Sequence, residues 1–329
     1  MKVKFWGVRG SIPAPLGPKK IEEKVAEILE IYKNSGEKNV AEFLKKQPFP
    51  LCSTYGGNTL CVELICGLER IVCDMGTGVR ELGNSLFKEM FDKGGLDISF
   101  LLSHMHWDHI QGLPFFGPLY VNKNSGMKNR WHFYGGTNWM KDAEQCLRGQ
   151  MDSPTFPVSW EEIKKITEQL EGHDVYDQFS FSIGEAHVTA RKLNHPQETY
   201  GWRVVYKGVI FAYATDNEPY DPDYPDPRLL ALIKDADLLI MDCQYSKAVY
   251  EGNIESVPRH GWGHSYPKAV AKAATQAKVK RMALFHHDPA SSDKMIAEIE
   301  KTTQDIVLKY NGKTKVFAAY EGQELLIGE

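Results

Sequence analysis

Apolar residues recur along the chain in two alternating ways, as short continuous runs and as stretches with helical spacing. Residues 2–6, 60–66, 69–73 and 97–103 are short apolar or alternating runs closed by Gly, Asp or His, which predicts strands. Further strands are predicted over 130–134, 209–214 and 237–242, and from Lys280 to His286. Helical periodicity predicts helices over about 80–92, 138–150, 267–277 and 292–310, with two short strands after the last. Ser159-Trp-Glu-Glu162 reads as a helix N-cap with acids in the first turn, placed after the breaks at Pro154 and Pro157. Elsewhere between 113 and 180 the periodicity is weak. Without a repeat, a low-complexity tract or a linker, this alternation predicts one α/β (α+β) domain over residues 1–329.

One segment stands apart. Between Pro18 and Pro48, Ile21, Val25, Ile28, Leu29 and Tyr32 fall at helical spacing, followed by Val40, Phe43 and Leu44. The pattern predicts one or two amphipathic helices inserted at about 19–47. Such a hairpin could cover a site or contact another subunit; plain surface elaboration is the preferred reading.

Composition narrows the class. With 42% hydrophobic and 25% charged residues, the 329-residue chain has ample material for a globular core. A formal net charge of −4 supplies no global pull toward nucleic acid. The opening Met1–Arg9 reads as a charged strand rather than a signal peptide, and no apolar run approaches a membrane span. The six cysteines contain no Cys-x-x-Cys pair and are expected to be reduced core thiols of a cytoplasmic protein.

The chemistry concentrates in His104-Met105-His106-Trp107-Asp108-His109, which leaves the strand predicted over 97–103 and runs into Gly112-Leu-Pro114. Imidazoles and a carboxylate at this density are ligands for Zn²⁺ or a similar divalent ion. Asp74, Asp216 and Asp242 each close a predicted strand, and Asp74 alone could be a simple turn residue. His195 precedes Pro196. His264 precedes the helix at 267–277, whose N-terminus favours an anion nearby. Ser265 is read as that helix's N-cap. His132, His173 and His187 have no ligand-like company along the chain and read as ordinary strand or loop histidines.

The order His-x-His-x-Asp-His resembles the signature of the metallo-β-lactamase superfamily. Trp6-Gly-Val-Arg-Gly-Ser-Ile-Pro13, Gly56-Gly57-Asn58-Thr59, Tyr200-Gly-Trp-Arg-Val204 and the Gly-His-Ser at 263–265 resemble its ribonuclease Z and cyclic-nucleotide phosphodiesterase branch. The insertion near 19–47 departs from that branch's usual pattern. The resemblance implies a four-layer αββα sandwich with two metals at one edge. By it, His104 and His106 serve one metal, Asp108 and His109 the other, and His195 is the third metal histidine. Asp216 bridges the two, and His286 joins the second metal, with His287 ranked behind it. Asp74 would support the metal loop from behind. Asp108 and His264 are the candidate catalytic residues, His264 as general acid or stabiliser of the transition state. Because His106 stands where the di-iron flavoprotein branch has a carboxylate, the resemblance points to a hydrolase.

The implied cofactors are two divalent ions, zinc first, with manganese or iron as alternatives. The implied substrate is a small phosphodiester such as a 3′,5′-cyclic nucleotide. A tRNA 3′-processing endonuclease shares most of these motifs but usually carries a Gly/Pro-rich basic arm, for which Lys123–Arg130 is too short. A non-catalytic metal or nucleotide sensor is the third alternative, disfavoured because every presumed ligand is present. A homodimer is allowed by the resemblance only.

Overall fold

The computed structural model describes residues 1–137, 142–254 and 257–328. Strand β1 (Lys2–Gly7) shows how the pattern becomes structure: Val3 and Phe5 are buried while Lys2 is exposed, so one face is sealed and the other solvated. It is followed by β2 (Cys61–Cys66), β3 (Glu69–Cys73), β4 (Asp97–Leu101), β5 (Arg130–Gly136) and β6 (Gln169–Val175). A second set comprises β7 (Ser180–Ile183), β8 (Ala186–Lys192), β9 (Tyr200–Tyr206), β10 (Val209–Ala214), β11 (Leu238–Asp242), β12 (Arg281–Phe285) and β13 (Lys315–Ala318). β14 (Glu324–Leu326) returns to pair with β1.

These strands form two seven-stranded sheets, ordered β14-β1-β2-β3-β4-β5-β6 and β13-β12-β11-β10-β9-β8-β7. β3 to β6 run parallel, as do β10 to β13, and the remaining pairs are antiparallel. The inner faces meet through Phe5, Val62, Leu64 and Ile71 on one side and Trp202, Val204, Phe211 and Phe285 on the other. Helix Gly78–Lys93 covers the outside of the first sheet with Val79, Leu82, Leu86 and Met90. Helices Pro227–Ile233, Pro267–Gln276 and Asp293–Lys309 cover the second with Leu229, Val270, Ala274 and Ile299. The result is the αββα arrangement, with parallel strands carrying their crossover helices on the outer faces. Among the described residues no helix is long and apolar enough to cross a membrane.

Several elements depart from the sequence reading. β6 was not legible because its sequence, Gln-Leu-Glu-Gly-His-Asp-Val, buries only Val175, as suits an edge strand; pairing with β5 recruits it. β7 is likewise an edge strand. Of the helix expected over 138–150, residues 138–141 lie outside the described ones; the helix spans Ala143–Met151, capped by Asp142. Ser265 is not an N-cap: Tyr266 holds that position, Pro267 starts the helix, and the Ser265 hydroxyl donates to the Asn217 carbonyl.

Helix Pro18–Ser35 forms where its spacing predicts but buries none of its residues. It is tied down on its polar side, where Lys24 pairs with Asp293 and Glu27 with Lys294. The short helix Val40–Lys45 buries Phe43, whose ring meets Tyr32 edge-on at 5.0 Å.

The turn after β3 and the loop after β4 are zipped together. The Met75 N–H donates to the His109 carbonyl at 2.6 Å and the Gly112 N–H to the Met75 carbonyl at 2.9 Å. A Cβ at position 112 would sit 2.1 Å from the Gly76 carbonyl oxygen, which no rotamer change relieves. Gly112→Ala is therefore expected to destabilise by about 3 kcal/mol in urea unfolding, against a near-neutral Gly149→Ala, whose Cβ meets nothing within 4 Å.

Candidate metal centre

All of the expected site residues except His264, which lies in the loop before helix Pro267–Gln276, follow the C-terminal end of a strand, on the edge where ligands of parallel sheets gather. Asp74 follows β3, the His104–His109 run follows β4, Asp216 follows β10, and His286 follows β12. His195 lies between β8 and β9, at the same edge. Asp74, Asp216 and His286 adopt the left-handed backbone conformation, with φ of 59°, 53° and 57°. Asp and His tolerate this region better than most residues.

Asp74 is fully buried and accepts four hydrogen bonds. Its Oδ1 receives the Ser103 N–H at 2.7 Å, and its Oδ2 receives Ser103 Oγ at 2.9 Å, His109 Nδ1 at 2.8 Å and Tyr213 OH at 2.7 Å. A carboxylate on Nδ1 keeps a proton there, so Nε2 of His109 is the nitrogen that faces the site and is left for a cation. His195 is oriented in the same way, its Nδ1 donating to the Gly263 carbonyl at 3.1 Å.

The remaining atoms form two lobes about one carboxylate. In the first, His104, His106 and His195 gather with Asp216. His195 Nε2 lies 3.2 Å from His106 Nδ1, and Asp216 Oδ2 lies 3.7 Å from His104 Nε2 and 4.0 Å from His195 Nε2. In the second, Asp108, His109 and His286 gather. Asp216 Oδ1 is 3.4 Å from His109 Nε2 and 3.3 Å from His286 Nε2, and Asp108 Oδ2 is 3.5 and 3.2 Å from the same two atoms. Atoms bound at about 2.1 Å to one tetrahedral zinc are about 3.4 Å apart, which is the range seen here. Asp216 thus presents one oxygen to each lobe.

His104 Nε2, His109 Nε2 and both ring nitrogens of His286 are buried and have no hydrogen-bond partner. Buried orphans of this kind call for an explanation, and two divalent cations fit this donor set. His287 turns the other way and donates from Nε2 to the Ala319 carbonyl at 2.9 Å.

By itself the protein answers its buried carboxylates with protons. Burial opposes a charge on His286, but Asp216 and Asp108 overcome it and push the imidazole up to about 9. His109 is raised for the same reason, burial opposing and Asp108, Asp216 and Asp74 prevailing. In the first lobe burial, reinforced by His195, holds His106 down at about 4, and His104 is lowered by burial and by His109. One lobe is therefore ready as neutral donors, and the other holds protons that a cation would displace.

His264 lies at the rim of the second lobe, its ring 4.6 Å from that of His286. Its Nδ1 contacts Asp242 Oδ2 at 3.1 Å, and Asp242 also accepts the N–H groups of Ser265 and Gln244. The loop before it is tied by Glu218, which accepts the N–H groups of Gly261 and Gly263, both at 2.8 Å, and Tyr250 OH at 2.7 Å. The roles of Asp242 and Glu218 escaped the sequence reading. Asp242 carried a usable signal, since it ends its strand as Asp74 and Asp216 end theirs.

His132 and His173 sit on strands β5 and β6. Pairing of β5 with β6 sets their rings 5.7 Å apart with Glu171 beside them, company that no linear spacing shows. His187 sits on β8 with its side chain exposed.

A family model described as "Beta-lactamase superfamily domain" matches residues 69–287. Ribonuclease BN of Cronobacter sakazakii is 25% identical over 229 residues, covering 56% of this chain and 69% of its own. Among solved structures, the metallo-β-lactamase fold protein YhfI of Bacillus subtilis superposes with a TM-score of 0.61 at 16% identity, covering 99% of both chains. Yeast PDE1 superposes with a TM-score of 0.59 at 14% identity, again over 99% of both.

Zinc titration followed by metal analysis is expected to give two equivalents at this centre, and Asp216→Ala to lose at least one of them. Asp74→Ala, which leaves every donor in place, is expected to weaken binding by about 10- to 100-fold. Because His109 and His286 are held protonated at neutral pH, zinc binding there must release protons. Apparent affinity is then expected to rise with pH and level off above about 9, and calorimetry in two buffers of different ionisation enthalpy measures the release.

Proposed function

The chain belongs to the beta-lactamase superfamily and is a metal-dependent hydrolase, and we propose that it is a dinuclear phosphodiesterase of small phosphodiesters, such as 3′,5′-cyclic nucleotides. The observation that carries this reading is Asp216, with one carboxylate oxygen toward each imidazole-lined lobe and the Asp242–His264 pair alongside. His104, His106 and His195 would hold one ion, Asp108, His109 and His286 the other, and Asp216 both. The imidazole-rich donor set favours zinc. When bound, such a pair polarises a phosphoryl oxygen and makes water acidic enough to attack at neutral pH.

The chain's own residues do the rest. Asp242 holds the Nδ1 proton of His264, so Nε2 is the atom that exchanges a proton with the leaving alkoxide. The Ser11 N–H donates to Asp108 Oδ2 at 2.7 Å and fixes the carboxylate that faces His286. Trp107, largely exposed and next to Asp108 in the chain, offers flat apolar surface for a base. Residues 1–329 are read as one domain, and the insertion as surface elaboration.

Charge supports a small substrate. A cavity of about 500 Å³ beside His195 is lined by Glu218, Tyr220, Tyr250 and His260, and exposed Asp221 follows Tyr220, while Asp223 is paired with Lys268 at 2.6 Å. Carboxylates there oppose a long polyanion. Lys123 and Lys128 precede β5 and Arg130 opens it, at the opposite end of the parallel strands from the site. The ribonuclease reading is favoured by the likeness in sequence to ribonucleases BN and Z and by a fold shared with human tRNase Z, short form.

The deciding experiment sets bis-p-nitrophenyl phosphate, 3′,5′-cyclic AMP and a 3′-extended tRNA side by side before the zinc-loaded protein. Cleavage of the two small diesters is expected, with kcat falling about 10²- to 10⁴-fold in His264→Ala and turnover lost in Asp108→Ala. Cleavage of the tRNA alone would establish the ribonuclease reading instead. Binding of the nucleotide without turnover would establish a sensor.

A further inference from the structure

We propose that His132, His173 and Glu171 form a separate mononuclear site for a zinc-class divalent ion, on the strands β5 and β6 and away from the catalytic edge. Parallel pairing places His132 directly opposite Glu171, and His173 follows two residues along on the same face. Ser99 of β4 pairs with His132, and His104 lies five residues beyond Ser99, roughly 16 Å along the strand direction.

The distances fit a metal site. His132 Nδ1 is 3.5 Å from His173 Nε2, and Glu171 Oε2 is 3.7 Å from each of those nitrogens. A charge-assisted hydrogen bond would draw the carboxylate in to about 2.8 Å. Ligands on one tetrahedral ion at about 2.1 Å stand about 3.4 Å apart, and the three atoms outline one face of such a tetrahedron.

The surroundings hold that face in place. Tyr134 stacks on His173 at 4.4 Å and on Phe181 of β7 at 4.2 Å, fixing the plane of the His173 ring. Burial, and then His132, lowers the pKa of His173 and keeps it in the neutral form that binds metal. Glu171 is half exposed, so solvent reaches the fourth position.

Two imidazoles and one carboxylate select Zn²⁺, or Cu²⁺ and Ni²⁺, over the oxygen-seeking Mg²⁺ and Ca²⁺. The ion would tether β6, an edge strand that buries only one side chain of its own, to β5. It is a structural site, independent of the phosphodiesterase reading.

Equilibrium dialysis of the full chain against zinc tests this, with metal counted per chain. Three equivalents are expected in the parent and two in His173→Gln and Glu171→Gln, with hydrolysis of bis-p-nitrophenyl phosphate unchanged. In Asp216→Ala, whose catalytic centre is impaired, adding His173→Gln is expected to remove one further equivalent. Zinc is expected to raise the melting temperature further in the parent than in either variant. Glu171→Gln, altering a half-exposed side chain, keeps the test meaningful if His173→Gln fails to fold. Equal metal counts in the parent and Glu171→Gln would overturn the proposal.

Discussion

A single buried carboxylate joins the two sheets at the edge where the chemistry gathers. Asp74 comes from the first sheet, Tyr213 from the second, and Ser103 and His109 from the loop that carries the histidine run. An uncompensated carboxylate at that depth would be prohibitively costly, so its four donors are constrained to arrive together. The same bonds set the tautomer of His109. Folding of the sandwich and orientation of the His109 ring are therefore one event.

The turns beyond the strands obey a second constraint. A side chain leaving a strand end must swing back across that edge to reach the centre, and at Asp74, Asp216 and His286 the backbone does this by taking positive φ. Each such residue costs of order 1 kcal/mol or more, offset by the hydrogen bonds and charges that converge on it. The neighbouring packing leaves no slack. A Cβ on Gly263 would lie 1.9 Å from Nδ1 of His195, and one on Gly10 would lie 2.0 Å from Nδ1 of His286. The glycines beside the histidines are part of how the histidines are aimed.

Charge is divided along the same lines. Asp108 and Asp216 are compensated by the imidazoles of His109 and His286, whose pKa values they raise against burial. Other cations serve the scaffold: Lys24 and Lys294 pin the inserted helix to helix Asp293–Lys309, and Arg70 bridges Glu63 and Glu89 at the outer face. Helix Pro18–Ser35 is thus held by its ion pairs, with Ile21, Val25 and Leu29 half exposed.

By itself the sequence determined what depends on near neighbours. The buried parallel strands were legible because apolar runs of that length have few other uses, and the His104–His109 run because six adjacent residues carry their own geometry. His195, Asp216, His264 and His286 were legible only through the resemblance of the motifs around them, since one histidine or aspartate at a strand end has no distinctive spacing. Tertiary structure alone decided which atoms meet. It turned His286 inward and His287 toward Ala319, and it joined Asp242 to His264 across 22 positions. It also paired β6, too polar to announce itself, with β5 and so brought Glu171 and His173 to His132. These pairings depend on strand order, on register and on the hand of a turn, and no local run of residues encodes any of the three.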